Sequence, residues 1–144
     1  MPTSRVPARL VVDANPILSA LLGGNARRVF FESGAEEFAV PEFVLGEVRA
    51  YIPILSSKAG LDPNVLDFLL TLLPLSPYPA SAYRRSMPKA KTLIGRRDPG
   101  DVDTLALALH LDLPLWTNDR DFEHTGIVLY TTRQLLAQLF PKRG

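Results

Sequence analysis

The chain has fifteen acidic residues, two histidines and no cysteine. Without thiols there is no disulfide, thiolate zinc site or catalytic cysteine to consider. His110 and His124 lack HxxxH or HExxH spacing and have no nucleophile beside them, so they read as a helix-surface and a loop histidine. The chemistry left is that of oxygen ligands, which suit a hard cation such as magnesium or manganese. Four carboxylates far apart in sequence are the candidates: Asp13, Glu47, Asp101 and Asp119.

Each of the four has a plainer reading beside the metal-binding one. Asp13 follows an apolar run, Leu10 to Val12, so it should stand at a sheet rim; it can also cap the next helix, a task Asn15 could perform equally well. Glu47 lies three residues after Val44 and four before Tyr51, beside an apolar stripe instead of opposite it. A carboxylate turned toward that side needs a cation, a hydrogen-bond network or solvent in a cleft. Glu42 better fits the first-turn acid that complements the helix dipole. Asp98, before Pro99, is suited to N-capping, which leaves Asp101 in the first turn, either favouring the dipole or projecting into a cleft. Asp103, two residues on, cannot share its face. Asp119 is nearest the end of the Leu113 to Thr117 run, with Thr117 and Asp121 as polar neighbours; an Asx turn would account for one aspartate there, not for both plus a threonine.

The elements that must position these residues alternate. Short apolar or β-branched segments at Leu10 to Val12, Glu37 to Val40, Leu113 to Thr117 and Ile127 to Tyr130 read as strands, and the prolines of Pro74 to Pro79 allow only an edge strand there. Helices are expected from Asn15 and Pro16 through Leu22, from Ala26 to Ser33, from Pro41 to about Lys58, from Leu61 to Leu73 with Asp62 and Pro63 as cap and first turn, from Asp98 to Leu111, and from Thr132 to Phe140. The Leu61 to Leu73 helix is apolar nearly all round and is expected to lie under others. This alternation predicts an α/β fold, a three-layer α/β/α sandwich on a mainly parallel sheet of four or five strands. Ligands in such sheets bind beyond the carboxyl ends of the strands.

With 144 residues, 47% of them hydrophobic, one domain over residues 1–144 is expected, its core at about 9–140. No apolar run is long enough for a membrane span and Met1 to Arg9 has no apolar signal core, so a cytoplasmic location is expected. The formal charge of +1 neither demands nor forbids a polyanion. From Tyr83 to Arg97, however, Arg84, Arg85, Lys89, Lys91, Arg96 and Arg97 occur with no acid among them. That segment reads either as a solvated basic helix or as a surface that tracks phosphates. The Gly23-Gly24-Asn25 turn lacks the pattern of a phosphate loop.

Three segments together resemble the PIN-domain family over Leu10 to about Leu139. DVDTLALALHLDLPLWTNDRDF, from Asp101 to Phe122, is similar to the family's second half, with its helix-opening aspartate, strand and T-x-D-x-D-F; LVVDANPILSALL resembles the first strand and helix, and PEFVLGEV the glutamate-bearing helix. The resemblance implies that Asp13, Glu47, Asp101 and Asp119 bind one or two Mg2+ or Mn2+ ions, with Asn15, Thr117 and Asp121 in support. It implies a metal-dependent endoribonuclease that leaves 5′-phosphate and 3′-hydroxyl ends, and in many single-domain members a VapC-type toxin neutralised by an antitoxin. An RNA substrate, an antitoxin partner and a homodimer are the expected interactions. The middle, Leu61 to Arg97, matches no family motif and is where substrate, dimer or antitoxin contacts are expected. The alternatives are a catalytically inactive PIN-like module that binds RNA or protein, and a housekeeping RNA-processing nuclease. An aspartate-based receiver or phosphatase is disfavoured because DANPILS has neither an acidic pair nor a DxD nucleophile.

Overall fold

The computed structural model describes residues 6–95 and 99–140. Five strands form one parallel sheet in the order β3-β2-β1-β4-β5, built from β1 (Arg9–Val12), β2 (Glu37–Pro41), β3 (Leu75–Tyr78), β4 (Leu115–Trp116) and β5 (Leu129–Tyr130). Every neighbouring pair is parallel. Parallel neighbours need long crossovers, and helices supply most of them. Between β1 and β2 lie α1 (Ala14–Leu21) and α2 (Ala26–Glu32), and between β2 and β3 lie α3 (Glu42–Ala59) and α4 (Pro63–Leu72). Between β3 and β4 come α5 (Ala80–Tyr83), α6 (Met87–Ile94) and α7 (Pro99–Leu111), while α8 (Thr132–Leu139) follows β5. The β4 to β5 connection has no α-helix, as expected from the sequence, only one 3-10 turn, Arg120–Phe122.

Strand side chains alternate between the two faces, and the core divides accordingly. Leu10, Val12, Phe38, Val40 and Trp116 point into one core with α1 to α4 and α8, where Phe30, Phe38 and Trp116 meet at ring-centroid distances of 4.9, 4.8 and 5.8 Å. Val11, Ala39 and Leu115 point into the other, with α5 to α7 and Phe122. The expected three-layer α/β/α sandwich is therefore present, with five strands. Since β1 is central and buried on both sides, its near-continuous apolar sequence follows directly. The β3 edge fits its prolines: Pro77 pairs with Val40 where no further strand requires its missing N–H.

Two expectations need correction. Asn15 does not cap α1: the helix begins two residues earlier, with Asp13 as N-cap accepting the Ala14 N–H at 2.8 Å. Pro16 then falls at the third helical position, still among the first four whose N–H groups have no partner within the helix, so it costs no hydrogen bond there. In α4, Asp62 caps as expected, but only Leu66 and Leu70 are buried, while Val65, Phe68 and Leu72 are exposed. Apolar composition buries a helix face only where another element covers it. The helix buried almost all round is α7, with Gly100, Val102 and Thr104 to Ala108 inside, which suits its run of alanine and leucine.

The Asp98 cap and the basic residues Arg96 and Arg97 lie outside the described residues. No described helix is long and apolar enough to cross a membrane.

Candidate metal centre

The central strand, β1, has neighbours running to opposite edges of the sheet, and a cleft of about 720 Å3 opens beyond the carboxyl ends of β1 and β4. A crevice at this switch in strand order is where open α/β sheets bind ligands. Asp13, Asn15, Glu47, Asp101, Asp119 and Asp121 line it, with Leu18, Val44, Val48 and Tyr51 as apolar wall.

Three carboxylates converge. Asp13, Asp101 and Asp119 each present an oxygen, and these lie within 4.8 Å of one another. Asp13, 5% exposed, is the most buried. It leaves β1 directly into α1, and both its oxygens are held: Oδ1 accepts the Ala14 N–H at 2.8 Å, and Oδ2 accepts the Thr117 hydroxyl at 2.8 Å. Thr117 in turn accepts the Asp119 N–H at 3.0 Å, so one buried hydroxyl ties the exit of β1 to the exit of β4. Asp119 accepts the Asp121 N–H at 2.8 Å, an Asx turn that aims its carboxylate. Asp101 arrives from the first turn of α7.

The three acids fit a hard cation on chemical grounds. An all-oxygen donor set with one nearly buried carboxylate concentrates negative charge that a divalent ion would neutralise. Glu47 stands on the cleft wall, exposed, and outside the group of three. Asn15 and Asp121 are also exposed cleft-lining residues, whereas Thr117 is buried behind the aspartates.

Asp101 and Asp103 separate as their spacing requires. Asp103 accepts the hydroxyl of Tyr83, a fully buried residue of α5. Burial, the Asp103 hydrogen bond and the charges of Asp103 and Glu42 push the Tyr83 phenol far above its ordinary value, so it remains a donor. Asp103 thus anchors α7 while Asp101 faces the cleft.

Glu37, the first residue of β2, accepts from Arg9 Nε at 2.8 Å and from the hydroxyl of Tyr78, the last residue of β3, at 2.7 Å. Burial opposes ionisation of Glu37, but hydrogen bonds from Tyr78 and Arg9 and the guanidinium charge outweigh it, holding the carboxyl below its usual value. This network joins β1, β2 and β3 away from the cleft.

Arg84, Arg85, Lys89 and Lys91 are exposed on the 3-10 turn Arg84–Ser86 and on α6, and none lines the cleft. Two residues with no role assigned from the sequence also bear on the site. Asn118 and Thr132 bond to each other beside the β4 exit. Their only sequence signal was a place in the TNDRDF stretch for Asn118 and at a helix start for Thr132.

One chain in a crystal structure of VapBC2 from Rickettsia felis bound to a DNA fragment from their promoter is similar in fold, with a TM-score of 0.58 and 16% identity, covering 85% of this chain and 98% of that one. No curated protein matches the sequence. The PIN domain family model matches residues 11–140, a span that runs from β1 through α8 and includes every acid of the cleft. The chain belongs to the PIN-domain family, whose members are nucleases.

Proposed function

We propose that the chain is a divalent-metal-dependent endoribonuclease whose centre is Asp13, Asp101 and Asp119, with Glu47 as the fourth acid. The observation that carries this reading is the convergence of three carboxylate oxygens within 4.8 Å in a cleft at the carboxyl edge of the sheet. A magnesium or manganese ion bound there would activate water for in-line attack on a phosphodiester and offset charge on the leaving 3′ oxygen.

The chain's own residues have distinct tasks in this reading. Asp13 is fixed by Ala14 and Thr117 and forms the rigid side of the centre. Asp101 and Asp119 complete the donor set from α7 and the β4 exit. Glu47, exposed on α3, holds an ion directly or through a water. Asn15 and Asp121 line the approach, and Arg84, Arg85, Lys89 and Lys91, with Arg96 and Arg97, position the RNA backbone without reading bases.

Biologically, the reading is a VapC-type toxin with an antitoxin partner, acting in the cytoplasm. Family membership and the fold likeness to a chain of a VapBC2 assembly support it. The exposed Val65, Phe68 and Leu72 of α4 are available to a second copy or to that partner. A short upstream reading frame for a DNA-binding protein is the expected genomic context, and a lone gene would contradict the toxin reading.

The direct test is incubation with structured and unstructured RNAs in Mn2+, Mg2+ or EDTA, with wild type and Asp13→Asn side by side. Cleavage by wild type with either ion, abolished by EDTA and in the variant, is expected. Full activity in the variant would overturn the assignment, and no cleavage by wild type across the panel would favour an inactive binding module.

A further inference from the structure

We propose that Thr132, at the start of α8, is a positioning residue for the metal centre, acting through Asn118 and Trp116 on the segment that carries Thr117 and Asp119. The inference rests on the metal-centre reading above and assigns a task to residues outside the cleft.

Residues Thr117 to Asp119 link β4 to the 3-10 turn and belong to no regular element. The Thr117 N–H still continues the ladder to β5, donating to Tyr130 O at 3.0 Å, but among the described residues Asn118 and Asp119 make no backbone–backbone hydrogen bond, so beyond Thr117 side-chain ties bear on where Asp119 sits. Asp119 is extended, with φ −92° and ψ 125°, and hydrogen bonds fix the sides on which its two predecessors stand: Thr117 donates to Asp13, and Asn118 donates to Thr132. Thr117 and Asp119 therefore face the centre, and Asn118 faces away, toward α8.

Thr132 meets that opposite side with three hydrogen bonds. Its Oγ1 accepts from Trp116 Nε1 at 3.0 Å and from Asn118 Nδ2 at 3.1 Å, and its backbone N–H donates to Asn118 Oδ1 at 2.9 Å. A hydroxyl oxygen has two acceptor sites, and the indole and amide take both. The Asn118 amide is held at both ends, and it satisfies an N–H at the first helical position that the helix itself cannot satisfy. Thr132 is held in its own turn: the Thr131 and Gln134 capping box fixes the start of α8, and the fully buried indole of Trp116 is packed against Phe30 and Phe38. The peptide on either side of Asn118 is thereby pinned from behind while Thr117 pins it from the front.

Manganese affinity, read by calorimetric titration with MnCl2 on the full chain, tests this. Thr132→Val removes the acceptor at constant volume, Thr132→Ser keeps it, and Asn118→Ala removes an exposed side chain that the fold does not need for burial. We expect Thr132→Val and Asn118→Ala to weaken Mn2+ binding roughly tenfold, the scale typical of outer-shell groups, with Thr132→Ser close to wild type. Wild-type affinity in Asn118→Ala, or a loss in Thr132→Ser equal to that in Thr132→Val, would overturn the proposal, the second because packing and not the hydroxyl would be responsible. If Thr132→Val does not fold, the Asn118→Ala result decides. Failure of wild type itself to bind Mn2+ would instead remove the metal-centre reading, and this inference with it.

Discussion

Replacing Thr117 by valine should damage both stability and metal binding, in amounts that follow from its two hydrogen bonds. The residue is 2% exposed, donates to a carboxylate at 2.8 Å and accepts a backbone N–H at 3.0 Å. Valine preserves the shape and deletes both bonds. A hydrogen bond to a charged group contributes about 1.5–3 kcal/mol and a neutral one about 1 kcal/mol, and partners left buried without water forfeit most of that. Asp119 is only half-buried and its N–H can regain water, so a net loss of about 2 kcal/mol is expected. A protein of ordinary stability survives this, with a fall in Tm on the order of 5–10 °C. Asp13 also loses the donor that orients Oδ2, so Mn2+ affinity should fall by roughly 10–100-fold. Urea unfolding in EDTA and MnCl2 titration measure the two effects, and Thr117→Ser should recover most of both. A valine variant as stable as wild type with unchanged Mn2+ affinity would refute the claim that this hydroxyl couples the two strand exits.

Two further predictions concern groups outside the centre. Tyr83→Phe should destabilise the fold by about 1 kcal/mol, because Asp103 is half-buried and can exchange the lost phenol for water; thermal unfolding measures it, and an unchanged Tm would show that the bond does not anchor α7. Glu37→Gln should destabilise at pH 7 by about 1 kcal/mol after allowance for solvent screening. Since the folded carboxyl lies below its unfolded value of 4.5, its stabilisation is present above that pH and lost as pH falls through the folded value, so the two proteins should converge in acid. A difference independent of pH would contradict the ionic reading.

How much of this was legible in the sequence depends on whether a feature is local. The Leu10 to Val12 run announced a strand buried on both faces, the prolines near Pro77 an edge, and Asp62-Pro63 a helix start, because each is decided by residues in contact along the chain. The identity of three converging acids followed from their strand-end and helix-start positions. What failed were judgements that need neighbours remote in sequence. Whether Val65, Phe68 and Leu72 are covered depends on what packs against α4, which composition does not tell. Asp13 and Asn15 are equally good caps by type; the choice falls to Asp13, whose carboxylate is also held by Thr117, 104 residues away. The spacing of Glu47 from the other acids depends on how α3 sits over the sheet, and the Asn118–Thr132 pair exists only because α8 returns to the β4 exit.

A divalent ion held among Asp13, Asp101 and Asp119 is what the proposed chemistry requires. Anomalous diffraction from crystals grown with MnCl2 tests it most directly. A manganese peak within direct ligand distance, about 2.2 Å, of oxygens from those three aspartates is the expected result. Manganese bound elsewhere, or an empty cleft at saturating metal, would contradict it.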